Sequence, residues 1–184
     1  MGRIPATLGR ITGAGGFPVV LMERSSGMEP VILLVDDSES DIELLRQAFA
    51  RAGMQRPLQV VQDGVDAMSY LLGRGEFADR DGYPMPSVLI IDVNMPRLNG
   101  LELLTWLRTQ PEFGHLMVIV LTGDSRIEAI NHAYHLGANS YLIKPTRHEQ
   151  LLDLIQCFYR YWMVHNHLPS PPAAAHHPYA TAAS

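Results

Sequence analysis

Asp92 closes the apolar run Leu89-Ile90-Ile91 and is followed by Val93-Asn94-Met95-Pro96. A run of this kind, ending in a carboxylate and then a polar loop with a proline, predicts a buried parallel strand. Asp92 then sits at the C-terminal edge, where open α/β sheets place their chemistry. Three further runs end in the same way. Val31-Ile32-Leu33-Leu34-Val35 ends in Asp36-Asp37, Met117 to Leu121 ends in Thr122-Gly123, and Tyr141-Leu142-Ile143 ends in Lys144-Pro145. Four strands would thus bring three carboxylates, a hydroxyl and an ammonium to one sheet edge. Three acids suit a hard divalent cation, and a donor set of oxygens without His or Cys favours Mg²⁺ over Zn²⁺. A lysine and a hydroxyl suit a phosphoryl group, and Gly123 leaves room for one beside the backbone amide.

Each residue also has a plainer reading. Asp36 and Asp37 could cap the following helix, favoured there by its macrodipole. Lys144 could be a surface lysine, and Thr122 a helix cap. Asp92 is harder to explain away, because a carboxylate ending a fully apolar strand must be paired, hydrated or bound to metal. Three acids at adjoining strand ends repel one another, and a divalent cation relieves that repulsion.

The elements that would position these groups alternate regularly. After the strand at 31–35, Ser38 or Ser40 can cap a helix with Ile42, Leu45 and Phe49 on one face and Gly53 as its stop. A strand at 58–61 leads to a helix opened by Asp63-Gly64, with Val65, Met68, Leu71 and Leu72 expected inward. The polar stretch from Gly73 to Pro86 is longer than the usual α/β connection. A strand at 88–91 precedes a helix after Gly100 carrying Leu101, Leu104 and Leu107. A strand at 117–121, a helix at 127–135 stopped by Gly137, a strand at 140–143 and a long last helix at 147–165 complete five βα units. Such alternation implies an α/β fold of flavodoxin-like (βα)5 type: a five-stranded parallel sheet of order 2-1-3-4-5 with an extended C-terminal helix. The first and third strands then flank the switch point, which is why Asp36, Asp37 and Asp92 can converge.

Composition sets the bounds. The chain has 184 residues, 47% hydrophobic and 18% charged, enough for one domain with a sizeable core. A net charge of -5 without a Lys/Arg cluster argues against nucleic-acid binding. The single cysteine, Cys157, excludes an intramolecular disulfide and a Cys-based zinc site. No segment reaches the roughly 18 apolar residues of a membrane span, and Pro18 interrupts the short run from Phe17 to Met22, so a cytoplasmic protein is expected. Residues 1–28 read as a disordered extension, or as sequence upstream of a start at Met22 or Met28. Residues 29–168 read as the domain, and the Pro/Ala/His residues 169–184 as a disordered tail. No DNA-binding or enzymatic unit is expected to follow.

Asp36-Asp37, Asp92, Thr122 and Lys144-Pro145, with their intervals and the loop from Met95-Pro96 to Gly100, resemble the signature of CheY-like receiver domains of two-component response regulators. The resemblance spans about residues 29–168. It implies that Asp92 accepts a phosphoryl group from the phosphohistidine of a sensor histidine kinase. It further implies that Asp37, Asp92 and the backbone carbonyl of Asn94 ligate Mg²⁺ directly while Asp36 acts through water. Lys144 would pair with the phosphoryl oxygens and Thr122 would hydrogen-bond one of them. Tyr141 would swing inward behind Thr122 as its switch partner. The long insertion before the third strand, Gly100-Leu101-Glu102, Leu136 to Tyr141 and Tyr161-Trp162 to Leu168-Pro169 resemble the Rcp-type single-domain regulators encoded beside phytochrome kinases. Thr122-Gly123-Asp124 departs from the Thr-Thr-Ser more usual in that type. The resemblance therefore implies a bacteriophytochrome-type kinase as partner.

The last helix carries more apolar surface than sheet packing needs. Leu151, Ile155, Phe158 and Trp162 form one stripe, widened by Leu152, Tyr159 and Met163. A homodimer face using Phe158, Tyr159 and Trp162 is expected. Output would then be a protein contact or disposal of phosphate. Three rivals fit less well. A haloacid-dehalogenase-like phosphatase needs a second Asp two residues after the nucleophile, where Asn94 stands. A non-phosphorylated adaptor of the same fold would lack an acid, the Thr or the Lys. A flavodoxin-type FMN module would find its phosphate repelled by Asp36-Asp37.

Overall fold

Short apolar runs bounded by polar residues become strands, and the amphipathic stretches between them become helices, because only layering buries both. The structure is a computed structural model describing residues 30–114 and 116–168. In chain order come β1 (Ile32–Val35), α1 (Glu39–Ala52), β2 (Gln59–Val61), α2 (Gly64–Leu72), a 3₁₀ turn (Gly75–Ala78), β3 (Val88–Ile91), α3 (Gly100–Thr109), β4 (Met117–Thr122), α4 (Ile127–His135), β5 (Ser140–Ile143) and α5 (His148–Phe158), continued by π-helical turns over Tyr159–His165. All five strands are parallel in the order β2-β1-β3-β4-β5, as expected. Among the described residues no helix is long and apolar enough to cross a membrane. The expected terminal extensions, 1–28 and 169–184, lie outside the described residues.

The sheet divides the core by strand alternation. Leu33, Val35, Leu89, Ile91, Val118 and Val120 face α2, α3 and Ala133 of α4. Ile32, Leu34, Val88, Ile90, Ile119 and Leu121 face Leu45 and Phe49 of α1 and Ile155 and Phe158 of α5. Ser38 is the cap of α1: its hydroxyl accepts from Asp41 N at 3.3 Å. Gly53 ends that helix at φ 99, a left-handed conformation that disfavours other residues.

Three helix faces differ from expectation. In α2 the buried residues are Gly64, Ala67, Tyr70 and Leu71, while Val65 is 40% exposed and Met68 and Leu72 are half-buried. The Tyr70 ring turns the helix: it packs on Phe77 and Tyr83, and its hydroxyl donates to Pro84 O at 2.8 Å. The long connection is therefore an ordered cover over α2. Arg80 fastens it, donating to the carbonyls of Tyr70 and Leu71 at 2.8 Å and of Tyr83 at 3.2 Å. The first two belong to the last turn of α2, where carbonyls have no intrahelical donor, and Tyr70 O accepts from Gly73 N as well.

The last helix is not uniform. Leu151, Ile155 and Phe158 are buried, but the next buried position is Met163, and Trp162 is only half-buried. Met163 lies five positions after Phe158, the spacing that one wide π turn brings onto a single face. The expected stripe through Trp162 is thus displaced by one residue. Leu101 of α3 is likewise half-buried, with Leu103 taking the buried place beside Leu104 and Leu107.

Candidate functional site

The strand ends converge as the sheet order requires. Asp36 follows β1, its N–H donating to Val61 O at 3.1 Å. It is fully buried, and its carboxylate accepts from Ser38 N at 3.0 Å and from Lys144 Nζ at 2.7 Å. Asp92 follows β3 and continues the ladder, its N–H donating to Val35 O at 2.9 Å. It is buried, and one carboxylate oxygen accepts from Val93 N at 2.9 Å. Asp37 is exposed. Carboxylate oxygens of Asp36, Asp37 and Asp92 lie within 4.8 Å of one another. Two oxygens on one Mg²⁺ can be at most about 4.2 Å apart, since each lies about 2.1 Å from the ion, so small side-chain adjustments suffice. The all-oxygen donor set and this convergence fit a divalent metal ion.

Glycines set the floor of the site. A Cβ on Gly100 would lie 2.1 Å from Asp92 O, so the start of α3 can press against the β3 end only without a side chain. Asn99 caps α3 with a full capping box, accepting from Leu101 N and Glu102 N while Glu102 accepts from Asn99 N. The preceding loop is tied to α2. Gly64 N donates to Leu98 O at 3.1 Å, and Arg97, at φ 61, bridges to Asp63, the buried cap of α2, and to Asp66. Asn94 in this loop is exposed, with its side chain away from the core.

On the other side stand β4 and β5. Thr122 is fully buried, and its Oγ1 has no hydrogen-bond partner, the one such side-chain atom among the described residues. Buried hydroxyls ordinarily find partners, so this one is an open valence beside the acid cluster. Gly123 is exposed, and a Cβ there would meet nothing within 4 Å, which leaves the approach open. Lys144 N donates to Thr122 O at 2.8 Å, holding the β5 end against β4. Tyr141 is half-buried, its hydroxyl donating to Asp124 O at 2.8 Å. The Asp124 carboxylate is itself held by Arg126 at 2.6 Å, which lowers its pKa to about 2.

Lys144 is the electrostatic centre. Its Nζ lies 2.7 Å from Asp36, 2.8 Å from Asp41 and 3.7 Å from Asp92. Burial pulls its pKa down, but the hydrogen bonds to Asp36 and Asp41 and the charge of Asp92 leave it above the ordinary lysine value. Burial pushes the Asp36 carboxyl up, against the lowering effect of Lys144 and Ser38 N–H. The site is thus an acid cluster incompletely neutralised by one ammonium, a setting that a divalent cation completes.

Every residue expected at the site stands at this edge: Asp36, Asp37, Asp92, Asn94, Thr122, Gly123 and Lys144, with Tyr141 behind. Sequence reasoning missed Asp41, whose only sign was a position in the first turn of α1. It also missed Arg97, whose pairing with Asp63, expected only as the opening of α2, clamps the β3–α3 loop. On the last helix, Phe158 is only 5% exposed, its ring edge-on to Phe49 at 5.7 Å between centroids. That ring is spent in the core of the protomer, while Tyr159 and Trp162 remain half-buried and Tyr161 is exposed.

A family model described as the response regulator receiver domain matches residues 32–156. Response regulator Rcp1 of Synechocystis is 29% identical over 149 residues, 81% of this chain and 99% of that protein. The solved Mn²⁺-bound form of Rcp1 superposes with TM-score 0.70, covering 77% of this chain and 99% of that one. Response regulator RPA3017, in red light signaling of R. palustris, is 35% identical with TM-score 0.73, covering 77% and 99%. The phosphorylated cyanobacterial phytochrome response regulator RcpA is 31% identical with TM-score 0.69, covering 78% and 100%.

Proposed function

Since this chain belongs to the response regulator receiver domain family, we propose that it takes a phosphoryl group on Asp92 from the phosphohistidine of a sensor histidine kinase. The observation that carries this reading is the Thr122 hydroxyl: buried, unpartnered, and one strand away from a buried carboxylate beneath a lysine. A metal site alone accounts for the acids but not for that open valence.

Asp92 attacks phosphorus in line. The bond from phosphorus to the kinase imidazole breaks, its electron pair stays on the nitrogen, and a mixed carboxylic–phosphoric anhydride remains on Asp92. Lys144, 3.7 Å from this carboxylate, stabilises the negative charge that develops on the transferring oxygens, and Gly123 leaves their path open. Asp37, Asp92 and the Asn94 carbonyl would hold Mg²⁺ directly, with Asp36 acting through water. The ion, when bound, neutralises negative charge on the phosphoryl group. Thr122 then gains the acceptor it lacks and moves towards it. Tyr141 leaves the Asp124 carbonyl for the space behind, so phosphorylation biases two arrangements of the face around β5.

The relatives described as phytochrome or red-light response regulators support a bacteriophytochrome-type kinase as partner. In this reading the protein is a cytoplasmic signalling protein and not a turnover enzyme. The receiver domain spans residues 29–168 in this reading. The half-buried Tyr159 and Trp162 support a homodimer through the last helix. The test is labelling with Mg²⁺ and acetyl phosphate, read by intact mass. Wild type should gain one acid- and base-labile phosphoryl group and Asp92→Asn none; equal labelling of Asp92→Asn would remove Asp92 from this role.

A further inference from the structure

Lys144 divides its ammonium among three carboxylates, and one of them has no part in the metal cluster. Its three N–H groups can serve three acceptors. Asp36 and Asp41 take two at 2.7 and 2.8 Å, while Asp92 stands at 3.7 Å, beyond hydrogen-bond reach. Asp36 is fully buried and shares the cluster with Asp37 and Asp92. Asp41 lies outside it, on the first turn of α1, with its side chain 36% exposed. It contributes nothing to a cation on the other three acids. Its contact with Lys144 is the tie that can open, because water can replace the lysine at a partly exposed carboxylate.

We infer that Asp41 is a positioning residue that holds the Lys144 ammonium back from Asp92 until a phosphoryl group draws it over. The inference rests on the roles proposed above for Asp92 and Lys144. It adds a consequence at a second place in the molecule. Asp41, Lys144 and Pro145 line a cleft of about 400 Å³ between α1 and α5, together with Leu44, Leu121 and Leu151. Once Lys144 moves to the phosphoryl oxygens, the cleft loses its cation and keeps the bare Asp41 carboxylate. The α1–α5 side thereby reports phosphorylation through charge, separately from the Thr122–Tyr141 side.

The experiment is a double-mutant cycle on Asp41→Asn and Lys144→Ala, with beryllofluoride and Mg²⁺ as an acyl-phosphate mimic. Asn keeps the shape at a partly exposed position, so the variant should fold. Asp41→Asn should bind beryllofluoride on the order of twofold to fivefold more tightly, the scale of one partly exposed ion pair. In the Lys144→Ala background the same change should have no effect. Glu39→Gln removes an equal charge two residues earlier in the same first turn of α1, from a residue that forms no ion pair with Lys144, and should match wild type. No gain in Asp41→Asn, or an equal gain without Lys144, would overturn the inference. A second readout needs no ligand. In a crystal structure of metal-free Asp41→Asn, Lys144 Nζ should come within hydrogen-bond distance of Asp92, and an unchanged separation also overturns it. If wild type itself fails to bind beryllofluoride, the proposed function fails, and the metal-free structure still decides the role of Asp41.

Discussion

Replacing Thr122 by valine should move stability and ligand affinity in opposite directions. Thr122 is fully buried and its Oγ1 has no partner. An unsatisfied buried hydroxyl costs about 1–3 kcal/mol, and valine has nearly the same shape without it. The metal-free valine variant should therefore be more stable than wild type by about 1 kcal/mol or more. For a domain of this size each such increment raises Tm by about 2–4 °C. The phosphorylated state reverses the sign, because there the hydroxyl would donate to an anionic oxygen. A hydrogen bond to a charged group contributes about 1.5–3 kcal/mol, so its loss should weaken beryllofluoride binding by about tenfold to a hundredfold. Urea unfolding without metal measures the first effect, and titration with Mg²⁺ and beryllofluoride the second. Thr122→Ser, which keeps the hydroxyl, should retain affinity and lose some stability with its methyl group. A less stable valine variant would mean that the hydroxyl is satisfied in solution. Undiminished affinity would mean that it never meets the phosphoryl group.

Three other outcomes are expected. Tyr70 is held protonated by burial, its pKa raised to about 12. Its contribution should be complete below about pH 10, the ordinary tyrosine value, and be lost as pH rises from there towards 12. Alkaline unfolding should begin later in Tyr70→Phe, which in turn should lose about 1–3 kcal/mol at neutral pH by stranding Pro84 O. Gly100→Ala forces a methyl group against the Asp92 carbonyl and should cost about 1–3 kcal/mol or more, with slower phosphorylation of a displaced Asp92. Gly123→Ala meets nothing and should leave the unfolding midpoint unchanged. On the last helix, Phe158→Ala should cost about 3–5 kcal/mol as a core deletion. Tyr159→Glu should instead dissociate the proposed dimer with little loss of stability, as read by sedimentation, and a monomeric wild type at tens of micromolar, with and without phosphorylation, would remove that proposal.

What could be read from the chain alone is the part that depends on burial on both faces of a sheet. Ile32–Val35 and Val88–Ile91 are wholly apolar because a central parallel strand meets helices above and below, and the first charged residue after each must mark the sheet edge. Five such units leave few topologies, so the sequence alone puts Asp36, Asp37, Asp92, Thr122 and Lys144 on one edge. Helix faces were harder, because apolar residues lie on more than one side. In α2 a single ring, Tyr70, found a cover of Phe77 and Tyr83 and rotated Val65 into solvent. In the last helix one wide turn put Met163 where Trp162 was expected. Pairings between distant residues left no sign at all. Asp41 and Lys144 are 103 positions apart, and nothing in either neighbourhood names the other. A strand's burial is written in its own composition. A helix's phase and an ammonium's choice among three carboxylates depend on where neighbouring elements come to rest, and only the packed structure supplies that.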